Sequence, residues 1–162
     1  MKSITIESTL HAPADIVWPA VQRPEAFVHV AGGMLRYPAA ERHAGPWRKG
    51  DETVGWLFLF RLVPFSRHTI RVVDIDHDAR TILTEEGGGL VRIWRHHISV
   101  RPAPGDRCRY TDRVDIDAGI LTPIVATFAG IFYRYRQRRW ARLAPLLSAA
   151  ASPETPPSTQ DA

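Results

Sequence analysis

The chain has 162 residues, 44% of them hydrophobic and 23% charged, with a net charge of +4 and a pI near 9.7; this is the size and composition of one globular domain with one core. Its positive charge comes almost wholly from arginine, since Lys2 and Lys49 are the only lysines. The single Cys108 excludes an internal disulfide and a cysteine zinc site, and no apolar run is long enough to span a bilayer.

Lys2 to Leu10 alternates, with Ile4, Ile6, Ser8 and Leu10 on one face, and reads as a first strand with one wet face. It lacks the long apolar run of a signal peptide or anchor, and with a lone cysteine the expected compartment is a reducing cytoplasm. Ala12 and Pro13 open a short helical pattern through Ile16, Val17, Ala20 and Val21; Arg23-Pro24 breaks it before a second turn through Phe27 and Val28. Gly32-Gly33 releases the chain into a short strand, Met34 to Tyr37, and Ala39 to Gly50 is a loop carrying Trp47. Five strand-like runs follow: Glu52 to Leu62, His68 to Ile75, Thr81 to Glu86, Leu90 to Arg101 and Arg107 to Asp117. Their separators, including Val63-Pro64-Phe65-Ser66 and Gly87-Gly88-Gly89, suit hairpins, and no helix interrupts them, so the sheet is an antiparallel meander.

Leu121 to Leu147 then repeats apolar residues at the three-and-four spacing of one long amphipathic helix. Thr122 is its expected N-cap, Pro123 its first helical residue, and Arg134, Arg136, Arg138, Arg139 and Arg142 load the C-terminal half. Cations are favoured there in any helix, which argues against a nucleic-acid partner. Beyond Leu147 the composition collapses to Ala, Ser, Pro and Thr, so residues 1–147 form the domain and 148–162 a disordered tail.

In either natural register of the last hairpin, even-numbered residues share a face: Arg92, Trp94, His96, Ile98 and Val100 beside Cys108, Tyr110, Asp112, Val114 and Ile116. That face is the more apolar and should meet the helix; upstream, Trp56, Phe58, Phe60 and Leu62 give the even positions the larger aromatic surface. Two readings fit the polar residues among these rings. His96 and Asp112 hydrogen-bond each other across the hairpin, with Arg92 near the rim beside Glu85 or Glu86; or helix and sheet enclose an aromatic-walled cavity with a few polar points. A bulge near the triple glycine decides whether Glu85 or Glu86 faces inward.

The order strand, two short helices, antiparallel meander and C-terminal helix resembles the START-like, helix-grip or SRPBCC superfamily, which includes polyketide cyclase/dehydrase-like proteins, Bet v 1-like binders and lipid-transfer domains. The resemblance covers about residues 2 to 147 and rests on ITIESTLHAPADIVWPAV, TEEGGGLVRIWRHHISV, RYTDRVDIDAG and FYRYRQRRWARL. It implies an α+β fold of about seven strands wrapped around the last helix, and a deep apolar cavity whose mouth lies near the short helices and strand-connecting loops.

The expected function is binding of a small, mainly hydrophobic molecule. Trp56, Phe58, Phe60, Trp94, Val114 and Phe128 would supply the walls, and Arg92, His96, Tyr110 and Asp112 the polar end. One rival is a polyketide cyclase or dehydratase-like enzyme with His96 and Asp112 as acid-base pair; His68 joins this set if it lies on the even face. The other is a membrane- or protein-interaction module using the arginine-rich helix end. No cofactor is implied. Consecutive His96 and His97 point to opposite faces, which argues against a metal site, and there is no GxSxG motif or phosphate-cradling loop.

Overall fold

A computed structural model of the chain describes residues 1–151. The elements run β1 (Lys2–Leu10), α1 (Ala14–Val21), α2 (Pro24–Ala31), β2 (Leu35–Arg36), α3 (Pro38–Glu41), β3 (Glu52–Leu59), β4 (Val63–Asp76), β5 (Thr81–Gly88), β6 (Val91–Ala103), β7 (Arg107–Asp117), and α4 (Thr122–Ala151). All seven strands form one antiparallel sheet in the order β1-β7-β6-β5-β4-β3-β2. Strands β2 to β7 are therefore a meander and β1 returns beside β7, the curled sheet and long C-terminal helix of a helix-grip fold.

The last hairpin has the expected phase. His96 stands opposite Val114, Ile98 opposite Asp112 and Val100 opposite Tyr110, and this even face is buried against the helices. In β1, Ile4 pairs with Val114, Ile6 with Asp112 and Leu10 with Cys108, continuing the same face. Helix α4 lies chiefly over β1 and inserts Phe132, Tyr133 and Trp140, all nearly fully buried. The packed core lies at two ends of this contact, one around Leu10, Val17, Tyr110 and Trp140, the other around Ile116, Ala129 and Phe132.

Strand β3 departs from expectation. Its hairpin turns at Phe60-Arg61, both with positive φ (49° and 68°), with the Leu62 N–H donating to the Leu59 carbonyl at 3.1 Å. That is a type I′ turn made without the glycine or asparagine that usually marks one. Val63-Pro64-Phe65-Ser66, the expected turn, is the start of β4. Pro64 is tolerated there because it lies beyond the reach of β5, whose pairing reaches only Thr69↔Gly87. Beside the turn Phe58 stands opposite Pro64, and a register shift between Leu57 and Phe58 then sets Leu57 opposite Ser66 and Gly55 opposite His68. Odd residues of β3 therefore share the inner face with even residues of β4, and the expected phase of β3 is reversed.

Thr122 also differs from expectation. Its hydroxyl accepts the Ala118 N–H (2.9 Å) and donates to the Gly119 carbonyl (2.7 Å), tying the short turn Gly119–Leu121 to the helix start, of which Thr122 is itself the first residue. At the other end α4 continues through Ser148–Ala151, which the sequence assigned to the tail; the rest of that tail lies outside the described residues.

Candidate functional site

Between α4 and the concave face of the sheet lies a cavity of about 300 Å³, at the small end of ligand pockets. Its walls are Leu57 and Leu59 from β3, Ile70 from β4, Trp94 from β6, Phe27 from α2, and Phe128 and Phe132 from α4. Phe65, Leu90 and Ile124 line it and are also 56%, 68% and 69% exposed, which marks the mouth between the β4 start, the β5–β6 turn and the first turn of α4. Deeper in, a chamber of about 60 Å³ reaches Trp47, Val72, Ile98 and Trp140; the two spaces share Phe27, Ile70, Glu86 and Arg136.

A string of polar side chains runs through this junction. The His68 ring lies 3.2 Å from Glu86 Oε2, and the Thr84 hydroxyl donates to Glu86 Oε1 at 3.1 Å. His96 Nδ1 stands 3.8 Å from the same carboxylate, and its Nε2 is 2.7 Å from Asp112 Oδ1. Asp112 also accepts from Gln137 (3.1 Å) and Tyr110 (3.3 Å), while Arg136 donates to the Tyr110 hydroxyl at 3.5 Å. The pleat explains the string: His68, Glu86, His96 and Asp112 are even residues on four consecutive strands that share the inner face.

Burial alone would raise the carboxyl groups and lower the histidine. For Asp112 the charge of Arg136 and then the hydrogen bond from His96 outweigh burial and hold it below the usual carboxylate range. Glu86 is lowered against the same burial by its hydrogen bond with His68 and by the neighbouring His96. His96 is raised, burial notwithstanding, by Asp112 and then Glu86. Burial, followed by the Asp112 charge, pushes the Tyr110 phenol up.

Of the residues expected to form the site, Trp94 and Phe128 line the main cavity and His96 only the deep chamber. Asp112, Tyr110 and Val114 are buried behind the wall at 0%, 0% and 1% exposure and line neither space. Trp56 and Phe60 are 54% and 61% exposed, and Phe58 lines neither space; Leu57 and Leu59 lie inside instead, with the register shift between Leu57 and Phe58 setting Leu57 opposite Ser66. Arg92 is exposed and its guanidinium lies near Gly119, away from the cavity. The structure also decides between the two glutamates: the register shift falls after Glu86, which keeps phase with Thr84 and Ile82, while Glu85 pairs with Arg95 outside at 3.0 Å.

Arg136, one of the arginines that load the C-terminal half of α4, is only 5% exposed. The sequence held a signal: Phe128, Phe132, Arg136 and Trp140 recur every fourth residue, so Arg136 continues the apolar stripe. Arg139 is also occupied, donating to the His29 carbonyl at 2.8 Å and standing over the Tyr135 ring. Among the described residues no helix is long and apolar enough to cross a membrane.

The family model described as "Domain of unknown function (DUF8410)" matches residues 8–144. No curated protein matches the sequence. Among solved structures, the Zhui aromatase/cyclase from Streptomyces sp. R1128 superposes with a TM-score of 0.72 at 13% identity, covering 94% of this chain and 99% of that one. A START superfamily protein from Mycobacterium smegmatis gives 0.68 at 13% identity, covering 90% and 98%. Norcoclaurine synthase from Thalictrum flavum, in complex with dopamine and hydroxybenzaldehyde, gives 0.66 at 14%, covering 90% and 87%. At such identities these likenesses show the fold, that of the SRPBCC or START-like superfamily, and that alone.

Proposed function

We propose that this chain, which belongs to the DUF8410 family, binds a small, mainly hydrophobic molecule of polyketide, aromatic or lipid-like kind between its sheet and α4. The supporting observation is the cavity of about 300 Å³, walled by leucine, isoleucine and aromatic side chains and reached through an apolar mouth. Burying an apolar guest there gains roughly 25 cal/mol per Å² removed from water, and the polar string at the far end sets its orientation. Native mass spectrometry of protein purified from its own host should show a retained small molecule, and the neutral dye Nile red should bind to the purified protein and brighten. Protein that carries no guest and takes up no dye would remove this reading.

The contact between His68 and Glu86 on the cavity wall favours a second reading, a cyclase or dehydratase-like enzyme. Such chemistry needs a group that takes a proton from carbon and returns one to oxygen, and a carboxylate-oriented imidazole facing the guest suits it. The pair expected from sequence is less suited, since Asp112 lies behind the wall and its reach ends at His96. The printed names of the cyclase and synthase neighbours are consistent with this second reading. For an enzyme, His68→Ala leaves affinity for a poly-β-ketone thioester mimic within about threefold and lowers its turnover about a hundredfold or more. Wild-type protein that binds the mimic and never converts it leaves binding as the function.

A further inference from the structure

Arg136 is a buried cation with little to hold it. Among the described residues, one of its five N–H donors makes a hydrogen bond, the long one of 3.5 Å to the Tyr110 hydroxyl. Its Nε is fully enclosed and has no hydrogen-bond partner among the described residues. Ring faces form the rest of its surroundings, with the guanidinium carbon 5.2 Å from the Tyr133 centroid and 5.9 Å from those of Phe27 and Phe132.

The nearby acids do not complete it. Asp112 takes its hydrogen bonds from His96, Gln137 and Tyr110, and Glu86 takes its own from His68 and Thr84. Neither carboxylate comes within the 4.0 Å of an ion pair with Arg136. Their charges hold the guanidinium ionised from a distance while leaving its donors unused. An unpartnered buried donor costs about 1–3 kcal/mol and more when charged, so a guest that supplies acceptors here gains what the protein leaves unmade. Arg136 lines both the main cavity and the deep chamber, at the end of the cavity away from the mouth. The Ser66 hydroxyl, on the wall of the same cavity, is a second buried donor with no partner among the described residues.

Resting on the cavity reading, we infer that the guest is an amphipathic carboxylic acid, its apolar body along Leu57, Ile70, Trp94 and Phe128 and its carboxylate on Arg136. A guanidinium edge offers two parallel N–H groups, which a carboxylate accepts together and a hydroxyl or lone carbonyl cannot. The apolar surroundings exclude water and strengthen the pairing. His96, between Glu86 and Asp112, is favoured in its charged form and offsets part of their repulsion toward an incoming anion.

The test is displacement of Nile red by two matched pairs, decanoate against decanol and naphthaleneacetate against naphthaleneethanol. In wild-type protein at least one acid should displace the dye about tenfold or more better than its alcohol. Arg136→Met, checked for folding by circular dichroism and for Nile red uptake, should bring that acid to the level of its alcohol and leave the alcohol unchanged. Should Arg136→Met fail to fold, Arg136→Lys keeps a charge without the two-pronged edge and should lose several-fold of the preference. Wild-type protein that binds the dye but prefers neither acid, or a preference that survives both substitutions, overturns the carboxylate assignment while the cavity reading stands. Wild-type protein that takes up no dye at all overturns both.

Discussion

Asp112 is 0% exposed and the point on which His96, Gln137, Tyr110 and, through Tyr110, Arg136 converge. Truncating one member of a buried charged set leaves the others unpaired, so Asp112→Ala should cost about 3–5 kcal/mol in urea unfolding. The same set fixes the pH dependence of stability. Asp112 and Glu86 are lowered by folding, so their contribution is present above the unfolded carboxylate value of about 4 and lost as pH falls through their folded values. His96 is raised, so its contribution is full below about 6.5 and lost as pH rises through its folded value. Melting temperature should therefore be highest between about pH 4.5 and 6.5 and decline on both sides. His96→Gln should flatten the alkaline limb and, because His96 also helps to hold Asp112 and Glu86 down, shrink the acid one; an unchanged alkaline limb would show that another group carries it. That His96 and Asp112 share a face was legible from period-two counting along a tightly joined hairpin. That both lie out of reach of the main cavity was not, because residue spacing along a strand carries no information about depth.

At the level of elements, the β5–β6 connection sets which acid faces the cavity. Gly88 has φ of +154°, and a Cβ there would stand 2.1 Å from the Arg67 carbonyl and 3.0 Å from the His68 Cα. Gly88→Ala must push β4 away from β5 at the residue that carries His68, and overpacking of this kind costs about 1–3 kcal/mol. Gly87→Ala, where a Cβ meets nothing within 4 Å, is the matched control and should be close to neutral. Equal urea midpoints for the two would show that the backbone does not approach there as described. The triple glycine read correctly as a turn, yet its sequence could not say on which side of Glu86 the register shift falls. The β3–β4 turn was misplaced for the opposite reason. Phe60 and Arg61 adopt positive φ at a cost of roughly 1–2 kcal/mol each, and tertiary pairing of β3 with β4 overrides that local preference.

Across the whole molecule, α4 packs on β1 and β7, and its residues from Ile124 to Arg136 also line the cavity, whose other walls come from β3 to β6. Filling it should separate binding from folding. Val125→Trp, projecting from α4 into a cavity that Val125 already lines, should lower Nile red affinity at least about tenfold and leave the melting temperature within a few degrees. Unchanged dye affinity would place the dye elsewhere.

The chain's own pattern was enough to determine the α+β class, the order of the strands and main helices, the long C-terminal helix and the shared even face of β6 and β7. Each of these depends on a repeat of two or about 3.6 residues that a linear chain displays directly. Tertiary structure alone decided that Leu57 and Leu59 replace Trp56 and Phe60 inside, that Glu86 rather than Glu85 reaches the cavity, and that Arg136 is enclosed while Arg92 is not. A displaced turn or a single bulge inverts the phase of every residue beyond it, and its position is set by the strands' mutual hydrogen bonding, not by the identity of the residues that make the turn.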